Sequence, residues 1–428
     1  MKKVDVLIVF EHRNRELESA IRICDILRKK GYTVEISQIG WKEAVSKFTI
    51  SPKVLVVPWC YDNSDLNQWL NYKGQFPGKK IHIVNLHCEQ LTFADALDFC
   101  LPKENAKLTY HCSWGKYFTD NMINDGVDKN LILETGSPRL EFFKSEYSSL
   151  TRKKIAVKYN LDINKKWILM VGNFSQMYMT EERIKELSGR GFHNIGENVE
   201  LSKKTFYELV KWLETLCKSN DISQKTEIIY RPHPSESENK LLNKLEQQFP
   251  NFHIISDLPI REWYINCDIA FVWCSTSSVE AAYSKIPVFS LRPFEIPENK
   301  QIDLVEKLDQ IKQYQDLENL IIKFLNGFNV ETNEKFLNNI QYYYGERDAD
   351  SCENTALAIE RVINDKNNLL CSRKFYSCKA IVKYFNFYIK KFLRATHIME
   401  KIKKWEIINR DIVSDREYNE ILNKYKKL

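Results

Sequence analysis

The feature that most constrains this chain is its alternation of short, continuously apolar segments with amphipathic ones. Val4–Phe10, Thr33–Ser37, Val54–Pro58, Lys80–Leu86, Leu108–Cys112 and Asn130–Thr135 are apolar runs of strand length, and Glu16–Lys30 is an amphipathic helical pattern stopped by Gly31. Runs that are apolar throughout, and not only at every second residue, belong to strands buried on both faces. Such strands separated by helices build a parallel sheet with helices on either side. The cycle restarts after a charged linker at Arg152–Lys158, with strands expected at Trp167–Gly172, Thr226–Arg231, Phe252–Ser256, Asp268–Trp273 and Ile286–Leu291. Helices are expected near Ser202–Lys218, Glu236–Gln248 and Ser277–Ser284. A chain of 428 residues also exceeds one comfortable core.

The sequence thus predicts an α/β protein of two Rossmann-like domains, 1–155 and 156–365, facing a cleft, with a basic helical tail at 366–428. Ligands of such sheets bind at the carboxyl ends of the strands. Met177–Val199 reads as a long irregular insertion, of the kind that is either a functional lid or disordered.

Charge is unevenly spread. Lys366–Leu428 holds 16 Lys and Arg against 6 Asp and Glu, a net of +10, so the remaining chain carries −4 of the total +6. Basic residues in this tail interleave with Phe375, Tyr376, Tyr384, Phe385, Phe387, Tyr388, Phe392 and Trp405. No nucleic-acid module precedes it, which disfavours nucleic acid as a partner. The tail is read instead as an amphipathic helix for an anionic membrane surface, with packing against the body as the alternative. Eleven cysteines without any C-x-x-C pair point to a reducing compartment. Neither the opening segment nor any other apolar run approaches the roughly 20 residues of a membrane span. The expected location is cytoplasmic, peripheral at the inner face of the plasma membrane.

Three polar clusters follow strands. In Tyr230-Arg231-Pro232-His233-Pro234-Ser235-Glu236 the prolines stiffen the turn and bar an immediate helix, holding Arg231 and His233 where they can meet phosphate oxygens. In Trp273-Cys274-Ser275-Thr276-Ser277-Ser278-Val279-Glu280, four hydroxyl residues stand at a helix start, an anion-binding composition, and Glu280 is placed to accept from ribose hydroxyls. A single N-cap would need only one of those hydroxyls. Asn85-Leu86-His87-Cys88-Glu89-Gln90 offers a carboxylate and an imidazole as candidate bases, or simply a polar strand end. Thr135-Gly136-Ser137-Pro138-Arg139 reads as a turn shaping the cleft floor, with Arg139 as a secondary binding candidate. Gly172-Asn173-Phe174-Ser175 ends a strand where backbone could approach a diphosphate.

Other motifs are missing. No G-x-G-x-x-G follows the first strand, where Glu11-His12-Arg13 stands, and no Walker motif exists, so no cofactor is expected. The histidines lack metal-ligand spacing. Asp348-Ala349-Asp350 imitates a metal-binding D-x-D but reads as a helix start, with Asp350 as N-cap and Glu353 three residues on. Asn124-Asp125-Gly126 reads as a helix end capped by Gly126.

Taken together, strand–R-P-H-P, strand–S-T-S-S-x-E-A and I-P-V resemble the nucleotide-binding half of GT-B enzymes acting on bacterial cell-surface polymers. These include sialyltransferases, Kdo transferases and polyol-phosphate transferases. Phe10-Glu11-His12-Arg13-Asn14-Arg15-Glu16-Leu17, Leu86-His87-Cys88-Glu89 and Thr135-Gly136-Ser137-Pro138-Arg139 are similar to segments of the surface carbohydrate biosynthesis proteins, over about residues 4–365. The resemblance implies a metal-independent glycosyltransferase taking a nucleotide-activated sugar, of CMP-linked nonulosonate or Kdo type, to a glycan or lipid-linked glycan. It implies donor contacts from Arg231, His233, Pro234, Ser275, Thr276, Ser277, Ser278, Glu280 and Asn173. Catalytic roles fall to Glu89, His87 and His233, and Glu11 and Arg139 face the cleft. Where the sialyltransferases carry [DE]-[DE]-G this chain has His87-Cys88-Glu89-Gln90, so either Glu89 or His87 is the base. A CDP-alcohol-dependent polyol-phosphate transferase and a sugar-nucleotide epimerase are the alternatives.

Overall fold

The structure is a computed structural model describing residues 1–92, 94–144, 147, 150–189, 194–395 and 412–425. The chain divides into two compact units. One comprises Met1–Thr92, Ala96–Glu141 and Gln341–Leu428; the other is chiefly Phe142–Ile340.

The first unit is built on strands β1 (Lys2–Phe10), β2 (Val34–Gln38), β3 (Ile50–Val57), β4 (Lys80–Asn85), β5 (Tyr110–Ser113) and β6 (Ile132–Glu134). They pair in parallel in the order β2-β1-β3-β4-β5-β6. Helices α1 (Arg13–Lys29), α2 (Glu43–Thr49), α3 (Asn63–Trp69) and α4 (Lys116–Asn124) connect them. Val6, Leu7, Ile8 and Val9 of β1 are wholly buried, as an apolar run without alternation requires. Gly31 follows α1 with φ +92°, and Gly126 follows α4 with φ +90°, both left-handed helix ends.

In the second unit, β7 (Lys166–Val171), β8 (Thr226–Arg231), β9 (Phe252–Ile254), β10 (Ile269–Val272), β11 (Val288–Leu291) and β12 (Gln310–Ile311) form another parallel sheet, ordered β12-β11-β10-β7-β8-β9. Its helices are α5 (Arg152–Tyr159), α6 (Glu181–Gly189), α7 (Ile195–Lys218), α8 (Asn220–Ser223), α9 (Lys240–Gln248), α10 (Ile260–Asn266), α11 (Ser277–Tyr283) and α12 (Tyr314–Leu325). The chain then returns through α13 (Glu334–Tyr344) to the first unit, adding α14 (Ser351–Asn364), β13 (Leu370–Cys371), α15 (Cys378–Ala395) and α16 (Asp415–Tyr425).

Three readings of the sequence are corrected. Arg152–Lys158 is not a linker but helix α5 of the second unit. The Arg152 guanidinium lies 4.1 Å from the Trp167 ring and donates to Asp268 Oδ2 at 2.9 Å. Most of Met177–Val199 is helical, in α6 and the start of α7, and residues 190–193 lie outside the described part. Finally, the stretch after Ile340 belongs with the first unit and not with the second domain expected at 156–365. Leu370 pairs with Ile81 of β4, and Tyr418 of α16 meets Arg28 of α1 at 3.1 Å. Residues 396–411, including Trp405, lie outside the described part of the tail.

Asp350 caps α14 as its sequence implies: Oδ1 accepts from the Glu353 amide at 2.8 Å. Asp350→Ala is expected to cost about 1 kcal/mol of stability, whereas Asp348→Ala, at an exposed turn, should cost almost nothing. Denaturant midpoints of the two variants check this; equal losses would contradict the capping role.

Candidate functional site

In each sheet, successive strands run outward from a starting strand and then resume on its other side. That reversal lies between β1 and β3 in the first unit and between β7 and β10 in the second. The carboxyl ends flanking such a point open a crevice between diverging connections, where α/β proteins hold ligands.

In the second unit, three loops meet at the carboxyl edge. After β7 come Gly172, Asn173 and Phe174; after β8, the proline-clamped turn; after β10, the serine-rich turn into α11. Glu236 ties the first two loops together. One carboxylate oxygen accepts from the Phe174 amide at 2.7 Å, and the other accepts from the Tyr230 hydroxyl at 3.0 Å. Burial pushes the Glu236 carboxyl above its ordinary range. Asn173 ties the first and third loops, its amide donating to the Cys274 carbonyl at 2.9 Å, and the Phe174 and Trp273 rings stack with centroids 4.7 Å apart.

The predicted donor residues fall into two groups. Ser275, Thr276 and Ser277 are partly exposed, with Ser275 and Ser277 hydroxyls 2.9 Å apart. His233 is partly exposed and Pro234 exposed. His233 Nδ1 accepts from the Ser235 amide at 3.2 Å, so in the neutral ring the proton sits on Nε2. Ser278 and Glu280 are turned into the protein, and Arg231 is partly exposed with its guanidinium held by backbone. Ser278 is fully buried and donates to the Ser275 carbonyl at 2.9 Å, closing the turn. Arg231 donates to the Leu258 carbonyl at 2.7 Å, and burial lowers its pKa. Glu280 is buried within the electrostatic reach of Arg231 and Tyr264.

In the first unit, the Glu11 carboxylate accepts from Trp59 Nε1 at 2.7 Å, which places it at the β1–β3 reversal. The Glu11 amide donates to Glu16 at 2.7 Å, and burial raises the Glu16 pKa. Glu89 is exposed and ion-paired with Arg15. His87 differs from expectation. It has φ +48° and no exposed surface, with Nε2 at 2.9 Å from His111 Nδ1 and 3.0 Å from the Asn85 amide. Burial and the neighbouring His111 hold its pKa well below the usual imidazole value; burial holds His111 at about 4. A neutral imidazole sealed from solvent braces the β4 end. A pocket of about 500 Å³ in this unit is lined by Arg15, Glu16, Cys88, Trp114, Ser137 and Arg139.

Sequence reasoning missed Glu236, Glu16, Arg15 and Trp59 as site-building residues. Glu236 had one legible signal, a carboxylate two residues after the clamped turn, facing Gly172. Arg15 and Trp59 act through partners distant in sequence, and Glu16 through the Glu11 amide five residues before it.

Solved structures share the two-unit architecture. A Listeria monocytogenes protein assigned as a UDP-N-acetylglucosamine 2-epimerase matches with TM-score 0.55 at 14% identity, covering 88% of this chain and 100% of its own. UDP-GlcNAc 2-epimerase from Methanocaldococcus jannaschii matches with TM-score 0.52 at 14% identity, covering 84% and 100%. The wall teichoic acid polymerase TagF matches with TM-score 0.53 at 14% identity, covering 85% and 90%. No family model matches the chain, and no curated protein matches it in sequence. The fold is therefore GT-B, an architecture shared by sugar-nucleotide epimerases and polymer-building transferases alike.

A Cβ on Gly172 would lie 2.6 Å from the Tyr230 hydroxyl and 2.8 Å from the Glu236 carboxylate. Gly172→Ala should thus cost roughly 1–3 kcal/mol of stability by overpacking. Thermal unfolding checks this; an unchanged Tm would show that Glu236 does not hold the loop.

Proposed function

We propose that this chain is a glycosyltransferase moving a sugar from a cytidine-nucleotide donor, of CMP-linked nonulosonate or Kdo type, to a growing surface polysaccharide or lipid-linked glycan. The observation that carries the reading is the joining of three polar loops at the β7–β10 reversal by Glu236 and Asn173. The preference for cytidine comes from the His-Pro and serine-rich motifs.

The residues divide the work by exposure. His233 Nε2–H and the hydroxyls of Ser275, Thr276 and Ser277 would donate to the nucleotide phosphate. Their bonds strengthen as that phosphate departs with its extra charge. Pro234 stiffens the turn, Ser278 and Glu280 set the loops from beneath, and Arg231, partly exposed, is held by the Leu258 carbonyl. In the first unit Glu89, positioned by Arg15, would take the proton from the acceptor hydroxyl, with Glu11 and Arg139 as acceptor contacts. Burial removes His87 from that role, and Glu89 remains as the base of this reading.

Two other activities share the fold. The likeness to TagF favours a CDP-alcohol-dependent polyol-phosphate transferase, and the likeness to the two epimerases favours a sugar-nucleotide epimerase. Donor consumption separates them. A transferase turns over a sugar nucleotide slowly alone and faster with acceptor, a polyol-phosphate transferase requires the CDP-alcohol, and an epimerase needs no acceptor.

Among nucleotides, CMP or CDP should raise Tm more than UDP or GDP, because a ligand confined to the folded state stabilises it. Equal or greater stabilisation by UDP would remove the case for a cytidine donor. His233→Ala and Ser277→Ala should each weaken nucleotide binding by roughly 1.5–3 kcal/mol, the worth of a hydrogen bond to a charged group. Unchanged affinity in both, by calorimetry, would place the phosphate elsewhere. Glu89→Gln should retain donor affinity and lose about 10²–10⁴-fold in turnover. Wild-type turnover in that variant would take the role of base from Glu89.

A further inference from the structure

Among the described residues, helix α15 is docked on the first unit by one face. Ala380 is buried, the Trp41 and Phe387 ring centroids lie 4.8 Å apart, and Phe48 meets Tyr384 at 4.7 Å and Tyr376 at 4.3 Å. The opposite face carries exposed apolar side chains. Val382, Phe385, Ile389 and Phe392 recur at spacings of three and four residues, one stripe of a helix, and are 57%, 60%, 55% and 67% exposed. Ile381 and Tyr388 widen the stripe, and Phe375 is exposed just before the helix. From Val382 to Phe392 the stripe runs about 15 Å along the axis. Burying it would remove apolar surface from water on the scale of several core side chains.

The charge around this face identifies what covers it. Between Lys366 and Met399 the sequence contains no Asp or Glu, while Arg373, Lys374, Lys379, Lys383, Lys390 and Lys391 accompany the stripe. Arg373, Lys374, Lys379 and Lys391 are exposed. A second copy of the chain meeting this face through the same helix would set lysines against lysines. An anionic bilayer surface instead presents apolar depth for the aromatic residues and negative headgroups for the lysines, the combination that holds interfacial helices. Among the described residues no helix is long and apolar enough to cross a membrane, so the helix is suited to lying on the surface.

We propose that the exposed face of α15 docks the protein onto an anionic lipid surface, with Val382, Phe385 and Ile389 inserted and the flanking lysines at headgroup level. The helix reaches the membrane already folded and fixed to the first unit, so no ordering cost attends binding. Any site on the first unit would then be held at a set height above the bilayer.

Removing the whole tail is a poor test, because β13 completes the edge of β4 and α16 packs on α1. Surface substitutions keep the fold. Co-sedimentation with phosphatidylcholine vesicles, with and without phosphatidylglycerol, reads the binding directly. The intact protein should bind the phosphatidylglycerol vesicles, weakly bind pure phosphatidylcholine, and lose affinity with added salt. Phe385→Ser/Ile389→Ser should lower binding about tenfold or more, and Lys379→Ser/Lys391→Ser several-fold, both with an unchanged Tm. Binding indifferent to phosphatidylglycerol, or unaltered in the Phe385→Ser/Ile389→Ser variant, would overturn the proposal. So would self-association that this variant abolishes while vesicle binding is absent, since the face would then serve a second copy. No arm uses catalysis, so the outcome stands apart from that of the transferase reading.

Discussion

A single half-buried carboxylate organises the edge of the second unit. Glu236 sits where three connections leave the sheet, and its two oxygens satisfy a backbone amide of one loop and a tyrosine hydroxyl beneath another. Charge removed from water is costly unless it is hydrogen-bonded, so the arrangement is close to all-or-none. Phe174 and Tyr230 both donate to it, and Gly172 has no room for a side chain because the Tyr230 hydroxyl and the Glu236 carboxylate occupy that space. The hydroxyls of the serine-rich turn are joined to this frame by Asn173. What reaches solvent is then a short set of donors on a rigid base, the kind of preorganisation that electrostatic catalysis requires.

The first unit follows the same logic with different chemistry. Glu11 and Glu16 are held by Trp59 and by backbone at the end of β1, and Glu89 is held by Arg15. The neighbouring His87–His111–Asn85 cluster is polar yet sealed. Two imidazoles in contact and out of water are stable only as neutral rings, and their lowered pKa values follow from that confinement. A histidine at a strand end is thus no guide to proton transfer until its exposure is known.

The strands were legible because burial on both faces leaves an unbroken apolar signature, and all eleven expected strands occur. Caps at Asp350 and Gly126 were legible because they depend on local chemistry. What sequence periodicity could not convey was partnership across long separations. Nothing in Arg152–Lys158 announces that Arg152 will stack on Trp167, and charge alone suggested a linker. Likewise the return of the chain to the first unit rests on β13 pairing with β4 and on α16 meeting α1, contacts separated by hundreds of residues. At the candidate site, residue types were readable but their directions were not. Ser277 and Ser278 are adjacent and chemically identical, and only the helix turn sends one outward and the other into the protein.

We propose that a nucleotide phosphate rests on the second unit against His233 and the serine-rich turn. A crystal structure with CMP or CDP bound tests it most directly. Phosphate oxygens are expected within hydrogen-bond distance of His233 Nε2 and of at least one hydroxyl among Ser275, Thr276 and Ser277, with Glu236 still bonded to Phe174 and Tyr230. A nucleotide seated away from the β7–β10 reversal, or one whose phosphates touch none of these residues, would contradict it.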